Sequence, residues 1–274
     1  MKYFYWSLVA IVLFALIFFI FIPSFAGTLI INPILYVGPL QIHWYGIILA
    51  GSILAAFCLA RRNSWRFGIS PADIDDYSFW LVLVGILGAR LYYVIFSFDF
   101  FSQDWSEIYK IWHGGLSVYG SILAGLLFSY FYTRNKAYGF LQLVDLIALS
   151  LPLGQAIGRL GNFINQEAYG SVTNLPWKMY VALDGQFHHP AFLYEMILDL
   201  IVFVVLSRLI GKVKSGIIFF SYLLIYSFGR FFIEAIRVDS FFVNGFRVDQ
   251  IVALILFVIS GVFIFWKQKQ SKTV

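Results

Sequence analysis

Eight apolar runs, each close to the length of a membrane span, follow one another along this sequence. Crossing the hydrocarbon of a bilayer takes about 20 helical residues. The runs at 3–22, 43–60, 77–98, 115–133, 141–158, 190–210, 216–236 and 248–266 therefore read as membrane helices. The charge content agrees. Asp, Glu, Lys and Arg make up 12% of the 274 residues, and apolar side chains 61%. A soluble domain carries about 25% charged residues. So little charge does not coat a soluble body of this size, which excludes a soluble enzyme, a disordered chain and a nucleic-acid binder. The expected fold is an all-α polytopic membrane protein with seven transmembrane helices and one extra hydrophobic helix at the N-terminus.

The run at 3–22 is longer than the roughly 7–15 apolar residues of a secretory signal, although Ser24-Phe25-Ala26 looks like a cleavage site. Residues 1–27 are read as a retained N-terminal helix and 28–274 as the seven-span domain. The one cysteine, Cys58, rules out an intramolecular disulfide and is expected to be a small core residue.

The basic residues orient the spans. Lys2, Arg61, Arg62, Arg66, Arg134, Lys136, Arg208, Lys212, Lys214, Lys267, Lys269 and Lys272 all fall on one side if every run crosses. These are 12 of the 19 Lys and Arg. By the positive-inside rule both termini are cytoplasmic. Segments 23–42, 99–114, 159–189 and 237–247 then face outward.

Seven basic residues remain: Arg90, Lys110, Arg159, Lys178, Arg230, Arg237 and Arg247. A charge at the bilayer centre costs at least about 2.5–3.5 kcal/mol. These residues are expected to face a cavity, an acidic partner or an anionic ligand. Arg230, Glu234 and Arg237 share one helix face at i, i+4 and i+7. Two cations exceed one carboxylate there, which suits an anion, and the guanidinium fork matches phosphate. The alternative is an ion-pair network that fixes helix packing. Glu195 and Asp199 form an i, i+4 pair of like charge, which calls for a cation from another helix.

The polar stretch 158–170, Gly-Arg-Leu-Gly-Asn-Phe-Ile-Asn-Gln-Glu-Ala-Tyr-Gly, emerges at the end of a span. Polar backbone at membrane depth is tolerated only against protein or a water-filled cavity. Further outward clusters are His43-Trp44-Tyr45-Gly46, Trp112-His113-Gly114-Gly115-Leu116-Ser117-Val118-Tyr119-Gly120 and His188-His189-Pro190. No Cys/His cluster has metal-ligand spacing, and no metal or cofactor is expected.

Taken in order, His43-Trp44-Tyr45-Gly46, Gly88-Ala89-Arg90, Gly114-Gly115-Leu116-Ser117, the 158–170 stretch, His189-Pro190 with Leu193-Tyr194-Glu195, and Arg230 with Glu234 and Arg237 resemble the prolipoprotein diacylglyceryl transferase family. The resemblance covers about residues 31–266. It implies an enzyme of the bacterial inner membrane. The diacylglyceryl group of phosphatidylglycerol passes to the thiol of a lipobox cysteine in a secreted prolipoprotein, and glycerol phosphate is released. It implies phosphatidylglycerol, lipobox signal peptides and membrane lipids as partners. Carried over by position, the functional residues are Tyr45, Arg159, Asn162, Glu167, Gly170, Arg230 and Glu234. On that reading Arg159 and Arg230 bind phosphate, with Arg237, Gly170 and His189 beside them. Asn162 and Tyr45 orient donor oxygens, and Glu167 and Glu234 hold the arginines.

The sequence departs from the family in two places. Many members have His where this chain has Tyr119, so the thiol-activating base is open among Tyr119, His113 and His189. The N-terminal helix is additional to the common seven-span form. Two other readings remain: a transporter, against which no internal repeat is found, and a diverged member that binds lipid or signal peptide without turnover.

Overall fold

Apolar runs of this length satisfy their backbone polar groups internally only as helices. The computed structural model describes residues 16–269. Most of the expected first span therefore lies outside the described residues. Its described end is helical over Ile17–Phe21 and Ile22–Phe25. Seven longer helices follow among the described residues: α1 (Trp44–Asn63), α2 (Pro71–Phe96), α3 (Val118–Thr133), α4 (Phe140–Asn165), α5 (Ala191–Leu209), α6 (Ile217–Ile236) and α7 (Val248–Lys269). Three antiparallel hairpins punctuate them: β1 (Ile34–Val37) with β2 (Leu40–His43), β3 (Met179–Val181) with β4 (Gln186–His188), and β5 (Phe242–Val243) with β6 (Phe246–Arg247).

Among the described residues five helical stretches are long and apolar enough to cross a membrane: Trp44–Phe67, Pro71–Phe96, Phe140–Asn165, Ile217–Ile236 and Val248–Lys269. Two of the expected spans differ. Helix α3 has only 16 residues, or about 24 Å at 1.5 Å per residue. Helix α5 has 19 residues and carries Glu195, Asp199 and Arg208. The exterior is apolar: Leu87 on α2 is 69% exposed and Phe265 on α7 is 70% exposed, as lipid-facing residues are. Cys58 is exposed on α1 rather than in a core. Against lipid tails an apolar side chain gains little by turning inward, so hydrophobicity alone did not place it.

The described residues divide into two units, one of residues 16–56, 151–208 and 220–269, the other of 57–150 and 209–219. The first unit packs Phe163, Ala168, Met179, Val181 and Phe192 into one core. Phe21 of the N-terminal helical segment stacks on Phe163 at 4.5 Å.

In the second unit the buried core is Ala60, Ile69, Ile74, Tyr77, Tyr138, Leu143 and Leu146. Ser70 caps α2, its Oγ accepting the Asp73 N–H at 3.0 Å. Buried Asp145 caps the start of α6 by accepting the Gly216 and Phe219 N–H groups at 2.6 and 2.7 Å. Helices α2 and α3 meet through glycine. A Cβ on Gly120 would run into the Gly88 carbonyl and lie 2.5 Å from the Tyr92 Cβ. Ser121 Oγ donates to the Gly85 carbonyl at 3.0 Å across the same contact. This close approach of backbones is the usual basis of helix association in membranes. Gly120→Ala is expected to destabilise the protein by about 1–3 kcal/mol through overpacking, measured as a lowered midpoint of denaturant unfolding in detergent.

Candidate active site

In the first unit, helices α4, α5 and α6 bring three arginines to one carboxylate. Glu195, on the second turn of α5, is fully buried. Arg159 from α4 and Arg230 from α6 each pair with it. Arg237, just past the end of α6, donates from Nη1 to Glu195 Oε1 at 2.6 Å. Further acids surround the arginines. Arg230 Nη2 lies 2.7 Å from Glu234 Oε2 and 3.0 Å from Asp249 Oδ2 of α7. Arg237 forks onto Asp239 at 2.9 and 2.5 Å. Burial alone would raise the Asp239 carboxyl; the Arg237 guanidinium outweighs it and holds the group below the usual carboxylate range.

Arginine is thus not in local excess as the α6 pattern alone suggested, because α5, α7 and the turn after α6 add carboxylates that no single-helix pattern displays. Glu195 has the cations that its like-charged pair with Asp199 demanded. Asp199 is just as buried, yet neither of its carboxylate oxygens has a hydrogen-bond partner among the described residues.

The polar stretch 158–170 is the end of α4 and the turn after it. The helix closes with the Gln166 N–H on the Phe163 carbonyl and the Glu167 N–H on the Asn162 carbonyl. That double closure needs a left-handed residue, usually glycine. Here Gln166 takes it, at φ +50°. Its side chain compensates by binding the β3–β4 hairpin, accepting from the Ala182 N–H at 2.9 Å and donating to the Tyr180 carbonyl at 3.3 Å. Arg159 Nη1 donates to Asn162 Oδ1 at 3.4 Å, and Asn162 donates to Glu167 Oε1 at 2.8 Å. Glu167 therefore does not hold an arginine directly: Asn162 stands between. Glu195, which the carried-over roles omitted, is the main anchor of the arginines. Asp239 and Asp249 were also missed, and Asp249 was readable as an acid in the first turn of the last span.

The remaining candidates are placed as follows. A Cβ on Gly161 would lie 2.6 Å from the Tyr45 ring, so that tyrosine stacks on α4 where only glycine fits. Gly170 bridges Arg237 in antiparallel register, and its N–H donates to the His189 carbonyl at 2.8 Å. His189 Nδ1 lies 3.1 Å from the Tyr194 hydroxyl. Tyr119 and His113 belong to the second unit. Tyr119 opens α3 with its ring 6.5 Å from that of Tyr92. His113 Nδ1 lies 2.8 Å from Glu107 Oε2, and Lys110 Nζ donates to Glu107 Oε1 at 2.7 Å. Lys110, with His113 behind it, draws the Glu107 carboxyl below its ordinary range.

Two of the unexplained cations correct the sequence expectation. Buried Arg90 faces backbone instead of a cavity, acid or ligand. It donates to the carbonyls of Ile108 (2.8 Å), Gly114 (2.6 Å), Gly115 (3.0 Å) and Glu107 (2.5 Å). Arg247 likewise donates to the carbonyls of Glu234 (2.5 Å) and Arg237 (2.7 Å) at the end of α6. Both supply donors to main-chain carbonyls in turns and at a helix end, where the helix ladder does not use the full acceptor capacity. Lys178 sits over the Phe187 ring at 4.5 Å. No group of three or more His, Cys, Asp or Glu placed to hold a metal occurs among the described residues.

Removing one partner of a buried ion pair costs about 3–5 kcal/mol because the other charge is stranded. Glu195→Gln, which leaves three guanidiniums facing a neutral amide, is expected to lose stability on that order, read from denaturant unfolding of the purified protein.

The model of the prolipoprotein diacylglyceryl transferase family matches residues 32–266. Among similar proteins, the phosphatidylglycerol–prolipoprotein diacylglyceryl transferase of Fervidobacterium nodosum is 45% identical over 257 residues, covering 89% of this chain and 88% of its own. Those of Acaryochloris marina and Listeria innocua are 42% and 39% identical, covering 80% and 88% of this chain and 84% and 92% of their own. A match over most of the chain, on a bundle whose α4, α5 and α6 carry the family-like motifs into a single arginine–carboxylate cluster, shows that this protein belongs to the prolipoprotein diacylglyceryl transferase family.

Proposed function

We infer that this protein transfers the diacylglyceryl group of phosphatidylglycerol to the lipobox cysteine of prolipoproteins. The family membership supports the reaction, and the convergence of Arg159, Arg230 and Arg237 on Glu195 is the observation that carries its placement in the chain. The cysteine sulfur attacks the glycerol carbon that bears the phosphate. A sulfur–carbon bond forms, the carbon–oxygen bond to phosphate breaks, the thiol proton passes to a base (Tyr119, His113 or His189), and glycerol phosphate departs with the bonding electron pair on its phosphate oxygen. Charge grows on the departing phosphate oxygen, so preformed cationic donors lower the barrier. Arg159 fits this role: its side chain is the most exposed of the three arginines. Arg230 and Arg237 add positive field, and Glu195 with Glu234 keeps them in place. Asn162, tied to both Arg159 and Glu167, orients donor oxygens together with Tyr45. Gly170 and His189 border the Arg237 side of the cluster.

The same reading makes the protein a multi-pass protein of the bacterial inner membrane, with seven spans, an additional N-terminal helix and both termini in the cytoplasm. The asymmetric distribution of Lys and Arg supports that orientation. The charged helix α5 then crosses with Glu195 and Asp199 turned into protein, where charge is less constrained than against lipid.

Incubation of the purified protein with phosphatidylglycerol vesicles and a lipobox peptide is expected to add the mass of one diacylglyceryl group to the peptide. No gain, where a known transferase succeeds, refutes the reading. Arg159→Ala is expected to lower kcat by about 100–1000-fold, the usual loss for a donor to a developing oxyanion. Full activity in that variant would remove Arg159 from the phosphate site. Tyr119→Phe separates the possible bases. A rate that collapses in Phe and recovers in Tyr119→His with an altered pH profile assigns proton transfer to this position; an unchanged Phe variant leaves His113 and His189.

A further inference from the structure

His188 ends β4 with a buried side chain. Its ring makes two hydrogen bonds, Nδ1 to the Gly170 carbonyl at 2.7 Å and Nε2 to Asp184 Oδ2 at 2.9 Å. A carbonyl and a carboxylate only accept. Its two ring nitrogens thus face two acceptors, and Nδ1 is the one that addresses Gly170. The titratable groups that face it are Asp184, from the turn between β3 and β4, and Tyr169, whose ring packs at 4.8 Å. Its strand partners Met179 and Val172 carry no charge.

The bond to Gly170 falls on a three-stranded corner. Gly170 donates its N–H to the His189 carbonyl, and the next residue, Ser171, donates to the Ile236 carbonyl, each at 2.8 Å. Gly170 also bridges Arg237. A Cβ at Gly170 would stand 2.9 Å from the His189 Cβ and 3.0 Å from the Ile236 oxygen, so this middle strand has no slack. Arg237 leaves the corner to reach Glu195.

We propose that His188 is a positioning residue for the transfer reaction: its Nδ1–H bond to Gly170 sets the backbone from which Arg237 reaches Glu195. The proposal rests on reading the arginine cluster as the phosphate site.

Substitutions separate the two bonds. Asn puts its amide nitrogen where Nδ1 stands, and Gln puts it where Nε2 stands. His188→Asn is expected to keep kcat within about twofold, whereas His188→Gln loses about tenfold, the order for one hydrogen bond to a charged group. KM for the lipobox peptide stays unchanged in both. Equal kcat in the two variants overturns the proposal. Asp184→Asn tests it without touching the ring: the amide donates to Nε2 of a neutral His188, which then keeps its Nδ1–H on Gly170. Its kcat is expected to stay within about twofold of native. A loss in Asp184→Asn as large as in His188→Gln overturns the proposal even if the His188 variants fail to fold. Absence of turnover by the native protein would instead refute the underlying site reading.

Discussion

Burying Glu195 at the meeting of α4, α5 and α6 is the constraint on which the first unit depends. A lone carboxylate in that setting is too costly to remain ionised. Three guanidiniums make it tenable, and each arrives from a different stretch of chain: the end of α4, the middle of α6 and the turn after α6. The helix ends are thereby tied to one point. The arrangement is also redundant. An arginine that turns toward an anionic ligand leaves Glu195 paired with the other two, so ligand contact does not strand a buried charge.

A second use of arginine stabilises the segments between helices. Arg90 and Arg247 bind main-chain carbonyls. At the ends of membrane helices, carbonyls lack intrahelical partners and water is scarce, so a side chain with five donors does what solvent does elsewhere. Arg90 gathers the 107–115 turn, and Arg247 closes the end of α6 from which Arg237 projects. The scarce cations divide between a carboxylate cluster and backbone capping, and sequence alone does not tell the two apart.

Small or strained positions complete the picture where backbones crowd. Gly88 and Gly120 let α2 meet α3, and Gly161 admits the Tyr45 ring. Gln166 accepts a left-handed backbone because its amide binds the β3–β4 hairpin. That hairpin ends in His188, so the turn after α4 and the Gly170 corner are positioned by the same short strands.

The apolar runs and the order of the motifs, taken by themselves, determine a helical membrane protein of this family, because run length and local polarity are properties of a linear chain. The runs do not show that α3 is short or that α5 carries its charges buried. They placed Cys58 in a core, whereas packing in lipid gives it no reason to be there. Arg159, Arg230, Glu234 and Arg237 were legible as residues that belong together, and they share one charged cluster. Glu195 was legible as a carboxylate in need of a cation from another helix, and Asp249 as an acid opening the last span; which arginines meet Glu195, the carboxylate of Asp239 and the intervening role of Asn162 were not. Glu195 and Asp249 stand on other helices than the arginines they meet, and only the packing of α4, α5, α6 and α7 decides which charges share the buried space.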